Sequence, residues 1–375
     1  MIHQLTAEAT SLERIRPLFK ENSRHPILNG ILAGHNKGRI FVDDLHRPAC
    51  ALVWAEQEIF YLIGEPQESF VSSLSSLIKD VIAPEAERIG DAFFQVELMP
   101  EEKWQPVVER CLQAFLPKRY ERVTFAFDQE LFYKMPHLPI PDGVSVERIT
   151  LEMLADESFG EVLNNINDFW QSPELFVEKG IGYAVRTGGE VVCSCLTAFA
   201  AETDVEVGIS TYSRADRGKG YARLAVQALL DECLLQGRTP HWKTEDFRLP
   251  SIKLAEKVGF TNRRSYYAYV FVYNEQDNLV FTAYHRFRYF GDIAEAHRLL
   301  EQALALGNLN GWHHFLLACG YSLVGQTEQA LEHVKRAVEL GWKDVSDLRY
   351  DLDLANLRNT EQGRVWLEEF ERGLS

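Results

Sequence analysis

The sequence predicts an α/β chain of the α+β kind: a mixed sheet flanked by helices, laid out as two tandem lobes, with an all-α domain behind them. Three observations carry that prediction. Residues 204–237 read as a strand, a basic glycine-rich loop and an amphipathic helix. The element order β-β-β-α-β-α-β, traceable through the first 133 residues, fits the stretch after residue 144 as well. Beyond residue 281 the pattern turns helical and repeats, Gly291, Ala296, Ala303 and Gly307 being echoed by Gly325, Ala330, Ala337 and Gly341, each 34 residues on.

In the first lobe, residues 1–133, Ser11–Lys20 is a short helix with Leu12, Ile15 and Leu18 on its apolar side. Gly38–Val42 and Cys50–Trp54 flank the turn-rich run Asp43–Pro48 and form a hairpin, with Ile59–Ile63 as a third strand. Helices follow at Glu68–Ile82 and Glu101–Ala114, separated by the strand Phe93–Leu98, and Val123–Phe127 closes the series. Gly64-Glu65-Pro66 stands after the third strand, with an acid where a phosphate loop would need donors. Pro136, Pro139 and Pro141 make residues 134–143 an extended linker, because proline cannot pair in a sheet interior.

The second lobe, residues 144–274, opens with the strand Val144–Ile149 and helical stretches at Leu151–Glu157 and Gly160–Trp170. Ile181–Arg186 and Val191–Ala200 form a hairpin about Gly188 and Gly189, which supply the positive φ of a tight turn. Val205, Val207 and Ile209 then alternate with Glu206 and Gly208, the period of a strand. After the loop Arg217-Gly218-Lys219-Gly220-Tyr221-Ala222, one helix face carries Ala225, Val226, Leu229, Leu230 and Cys233, with Gly237 placed to end the helix. Pro240–Thr244 is the next strand, Ser251–Lys257 a helix ending in Val258-Gly259-Phe260, and Ser265–Tyr273 the closing strand.

The loop is an anion site by construction, since its backbone N–H groups and the positive end of the helix point to one spot. A Walker loop would need Ser or Thr after Lys219, where Gly220 stands, and a dinucleotide fingerprint would need a small residue at Arg223. Arg217-x-x-Gly220-x-Ala222, followed by the helix and Gly259-Phe260 turn, resembles the signature of the GNAT superfamily of acyl-CoA N-acyltransferases. The resemblance implies acetyl-CoA as cosubstrate, held by Arg217, Gly218, Lys219, Gly220, Tyr221 and Ala222, by the backbone of Ile209 and Thr211, and by Ser251. It also implies that two strands splay apart around the pantetheine arm, and that residues 25–130 are either a degenerate copy of this lobe or an unrelated α/β domain.

Acetylating an amine requires a neutral nucleophile and a path for its proton. Glu206, on the strand where some family members carry a catalytic glutamate, is the candidate base; its alternative is a carboxylate salt-bridged to a neighbouring strand. Ser210 shares its face and could order a water, and His241 is a second possible base. Ala255 stands where many members carry an acidic tyrosine, and Arg248 replaces a common asparagine and is a candidate phosphate contact. An active N-acetyltransferase and a non-catalytic acyl-CoA-binding module with a docking tail both follow from this pattern.

The tail, residues 281–375, has the tetratricopeptide period, with Ala318 and Tyr321 at that repeat's small and aromatic positions. Two repeats need support from the preceding lobe or from Leu348–Phe370 as a cap. The tail is either structural, including a homodimer contact, or a surface for a protein partner. A net charge of −16 argues against nucleic acid and suits a cationic amine acceptor. No apolar run is long enough for a membrane span. The start of the chain lacks secretory-signal features. Six scattered cysteines, of which only Cys193 and Cys195 are close, point to reduced thiols in cytosol and to no metal.

Overall fold

The computed structural model describes residues 2–5, 12–22, 24–342 and 345–372. Its strands are β1 His3–Gln4, β2 Gly38–Val42, β3 Cys50–Ala55, β4 Ile59–Gly64, β5 Phe93–Met99, β6 Lys118–Phe127, β7 Val144–Arg148, β8 Gly182–Thr187, β9 Glu190–Ala200, β10 Asp204–Thr211, β11 Thr239–Glu245 and β12 Phe260–Val272. They form one mixed sheet in the order β1-β2-β3-β4-β5-β12-β6-β11-β10-β9-β8-β7. The last strand in sequence, β12, therefore lies between β5 and β6, and β6 is bonded to β11. The chain divides into two compact units: Met1–Ile82 with Gln95–Cys111 and Arg119–Tyr269, and Ala83–Phe94 with Leu112–Lys118 and Val270–Ser375.

In the first unit β3 and β4 are buried at every position, on both faces, which is why they read as nearly unbroken apolar runs. The helix Tyr221–Leu235 buries Leu224, Ala225, Val226, Leu229, Leu230 and Cys233 in a core shared with β8, β9 and β10. Among the helices that escape the sequence pattern are Pro26–Leu32, Gln129–Lys134 and Pro173–Lys179. Pro26–Leu32 is buried at all seven positions, so it has no polar face to give a helical period. Pro173–Lys179 is short but carries a serine cap, Ser172 accepting from Leu175 N, with proline in its first turn. Strand β6 begins five residues before the expected Val123, its early charges Lys118 and Arg122 being buried at 4% and 5% exposed while Arg119 faces solvent. Behind the helix Pro26–Leu32, Asn36 Nδ2 donates to Ala198 O at 2.9 Å and Ala200 N donates to Asn36 Oδ1 at 3.0 Å, tying the start of the chain to β9.

The second unit contains the helices Glu275–Phe290, Ile293–Leu306, Gly311–Leu323 and Thr327–Glu339. The echoed alanines Ala296, Ala303, Ala330 and Ala337, with Ala318, are all fully buried, so small residues recur where helices pack closely. Lys118 Nζ donates to Asn278 Oδ1 and Thr282 Oγ1 at 2.7 Å each, and burial brings its pKa down to about 7. The six cysteines are free. Among the described residues no helix is long and apolar enough to cross a membrane.

Two outcomes follow. Gly259 has φ +91°, and a Cβ there would meet Phe132 Cβ at 2.9 Å. Gly259→Ala should therefore cost about 1–3 kcal/mol, read as a lower Tm. Deleting residues 281–375 removes most of the second core and uncovers Phe93, which packs on Phe281, along with Leu279 and Val280. Light scattering should detect aggregation or a changed oligomeric state. Unchanged solubility would show the deleted helices to be a detachable module.

Candidate functional site

Strands β10 and β11 run parallel and pair over only three positions: Asp204 with Thr239, Val205 with Pro240, and Glu206 with His241. Beyond that point they part. Residues Val207–Thr211 stay bonded to β9 alone, while Trp242–Glu245 bond to β6. The facing edges of the two strands are left without ladder hydrogen bonds, and a cleft opens where the ladder ends.

Two cavities share this cleft. One, of about 710 Å3, is lined by Ile209, Thr211, Arg217, Gly218, Gly220, Tyr221, Ala222 and Ser251. These are the expected cofactor residues except Lys219, whose Nζ turns to Asp216 Oδ1 at 2.9 Å. Gly218 and Gly220 have φ +78° and +92°, so the loop turns without side chains over its backbone. Gly220 caps the helix Tyr221–Leu235 with no side-chain acceptor, and Leu224 N, bonded to Gly220 O, is the first donor taken up by the helix. The donors ahead of it lack intrahelical partners, as an anion site requires. The linker also packs here: Arg223 Nη2 donates to Pro136 O at 2.7 Å, and Leu138 Cδ1 would stand 3.4 Å from a Cβ on Gly220.

The second cavity, of about 260 Å3, shares Ile209 and Ser251 with the first and reaches Glu206, Gly208 and Ser210 on β10 and Trp242–Glu245 on β11. Glu206 is 7% exposed and its Oε2 has no hydrogen-bond partner among the described residues. Burial pushes its carboxyl up to about 7; Glu58 and Glu97 add to the shift, and Lys243 and Arg122 oppose it. Trp242 Nε1 donates to Ser251 Oγ at 3.1 Å, fixing the serine that both cavities share. Ser194, Ser210 and Asn165 line one wall and are tied to Tyr212 outside the lining: Ser194 Oγ is 2.6 Å from Tyr212 OH, and Asn165 Nδ2 donates to Tyr212 OH at 3.2 Å and Ser210 Oγ at 3.3 Å. Ala255 is fully buried in the core and offers no donor.

Three residues in this cavity were not legible as site residues. Glu58, from the turn between β3 and β4, and Arg122, on β6, come from the first lobe. Arg122 arrives because β6 lies beside β11, where it pairs with Glu245. Lys243 Nζ meets His25 Nε2 at 2.9 Å and donates to Glu97 Oε2 at 3.2 Å. Two sequence expectations are corrected. Arg248 does not line the loop cavity; its Nε pairs with Glu245 Oε2 at 2.7 Å in the Glu206 cavity. His241 does not reach the Glu206 cavity either: its Nε2 is 2.7 Å from Asp204 Oδ1, and burial lowers its pKa.

Residues 16–269 match the family model described as GNAT acetyltransferase, more than half of the chain. An uncharacterized N-acetyltransferase of Bacillus subtilis (strain 168), YdfB, is 23% identical over 272 residues, covering 72% of this chain and 98% of its own length. The crystal structure of a GCN5-related N-acetyltransferase-like protein from Streptococcus suis 89/1591 shares the fold, with a TM-score of 0.51 and 21% identity over 70% of this chain and 98% of that one. A splayed pair of strands, a bare glycine loop at a helix start and a family match spanning both agree: the chain belongs to the GNAT acetyltransferase family and is an N-acetyltransferase of that type.

Proposed function

We propose that the protein moves an acetyl group from acetyl-CoA to a primary amine bound beside Glu206. The observation that carries this reading is the buried Glu206 carboxylate, whose Oε2 has no hydrogen-bond partner among the described residues, at the point where the β10–β11 ladder ends. Acetyl-CoA would supply an activated thioester. The loop Arg217–Ala222 fits its pyrophosphate, because Gly218 and Gly220 leave the backbone open and the helix start offers free N–H groups. Ile209 and Ser251, common to both cavities, mark the passage between the loop and the acceptor.

Glu206 acts as the general base. An alkylammonium must lose a proton before it can attack, and a carboxylate with a pKa of about 7 accepts that proton more readily than an ordinary glutamate. Ser194 and Ser210 set O–H groups along the same cavity. Tyr212, kept protonated by burial with its pKa pushed up to about 12, lines neither cavity and acts by holding Ser194, so the cavity has hydroxyl donors although Ala255 carries none.

Gly220→Glu puts a carboxylate where the pyrophosphate would lie. Calorimetry should detect no acetyl-CoA binding while the circular dichroism of the variant stays that of wild type. Equal affinity in the two proteins would remove the loop from the account.

Glu206→Gln keeps shape and loses basicity, so kcat should fall by about 10²–10⁴-fold with little change in acetyl-CoA affinity. In wild type the acidic limb of the rate profile should inflect near pH 7, where Glu206 loses its proton. Stability separates this role from a structural one. The folded pKa lies above the unfolded value of about 4.3, so the folded state holds the proton more tightly and stability falls as pH rises between the two. The Gln variant should therefore be more stable than wild type above pH ~7, by a few kcal/mol, and no more stable below pH ~4. Wild-type turnover in this variant would return Glu206 to a structural role.

A further inference from the structure

We infer that the acceptor is a small alkylamine carrying a second cationic group, a diamine in the simplest case, and that Glu58 selects it. The inference rests on the acetyl-transfer reading and concerns its second substrate.

Four carboxylates, Glu58, Glu97, Glu206 and Glu245, stand in or against the acceptor cavity, with three cations, Arg122, Lys243 and Arg248. Each cation already faces a carboxylate. Lys243 donates to Glu97, which also accepts from Tyr266 OH at 2.8 Å. Arg248 pairs with Glu245. Arg122 lies among Glu97 at 3.4 Å, Glu58 at 3.6 Å and Glu245 at 3.8 Å. An anionic group on the ligand would thus meet no cation free of a carboxylate.

Four carboxylates face three cations, so one carboxylate, Glu206, is in no ion pair among the described residues, and Glu58 has only a share of Arg122. Glu206, nine-tenths buried and lining the cavity, has an oxygen with no partner. Glu58, also lining it, has among the described residues only the 3.6 Å contact to Arg122. A carboxylate in such surroundings is stabilised by a cation or loses its charge. Burial raises the Glu58 carboxyl too, with Glu245 and Glu97 adding to the shift and Arg122 and Arg248 opposing it. The unpaired acid and the weakly paired one sit on different elements, Glu206 on β10 and Glu58 at the β3–β4 turn, where Gln57 takes φ 62° and Glu58 N donates to Ala55 O. One ammonium at each accounts for both: the reacting amine at Glu206, the distal cation at Glu58. A volume of about 260 Å3 keeps the acceptor small, near the lower end of ligand pockets, which run from about 300 Å3 upward.

The test uses the full chain, acetyl-CoA and thiol release, with α,ω-diamines of three to five carbons, monoamines and ω-amino acids of matched length, and a lysine-containing peptide. Diamines should exceed matched monoamines in kcat/KM by about tenfold or more, as a charge-assisted contact to Glu58 requires, with ω-amino acids below both. In Glu58→Gln the diamine-to-monoamine ratio should fall about tenfold, chiefly through the diamine KM, and Glu58→Asp should restore part of it. A monoamine, ω-amino acid or peptide used as well as the diamine, or a Glu58→Gln loss shared by all amines, would overturn the substrate assignment and leave acetyl transfer standing. Binding of acetyl-CoA without thiol release to any amine would overturn acetyl transfer, and the assignment with it.

Discussion

Everything functional in this chain depends on a parallel ladder that stops after three residue pairs. β10 and β11 are held together from Asp204 to Glu206 and then diverge, each kept by a different neighbour, β9 on one side and β6 on the other. Unpaired backbone groups inside a sheet are costly, so a gap of this kind persists only when its walls are fixed from behind. Trp242 packs on Phe260 and bonds Ser251, while the helix Tyr221–Leu235 clamps β9 and β10 through its buried face. The ladder's last pair puts Glu206 at the apex, beyond reach of the hydrogen bonds that would ordinarily satisfy a buried carboxylate.

The placement of β6 gives the first lobe its part in the site. With β6 beside β11 and β12 lodged between β5 and β6, first-lobe strands form one wall of a cleft that a single lobe would leave open. Arg122, Glu58 and Glu97 enter the acceptor region this way. Their charges oppose one another: burial is the main cause of the raised Glu206 pKa, Glu58 and Glu97 add to it, and Lys243 and Arg122 offset part of it.

The legible parts were those where function imposes a local pattern. Arg217–Ala222 could be read because a phosphate needs bare backbone at a helix start. Glu206 stood out as a carboxylate between Val205 and Val207 in a strand that buries both. The helix Pro26–Leu32 could not be read, because burial on every side erases its period. Glu58 and Arg122 carry no local mark either: a glutamate in a turn and an arginine in a charged run look solvated until the partner strand is known. Which strand pairs with which is a long-range fact, and β6 and β12 alternate as they would beside any neighbour. Arg248 pairs with Glu245, three residues before it, and lines the acceptor cavity rather than the loop cavity.

The central claim is that the acyl donor threads the gap between β10 and β11 with its reactive end beside Glu206. A crystal structure of the protein with a non-hydrolysable acetyl-CoA analogue tests this most directly. The account predicts pyrophosphate at the backbone of Gly218–Ala222 and the acyl carbon between Val207–Ile209 and Trp242–Thr244, on the Glu206 side of Ser251. An acyl group found instead in the separate cavity walled by Arg24, His241 and Tyr266, or left at the protein surface, would contradict it.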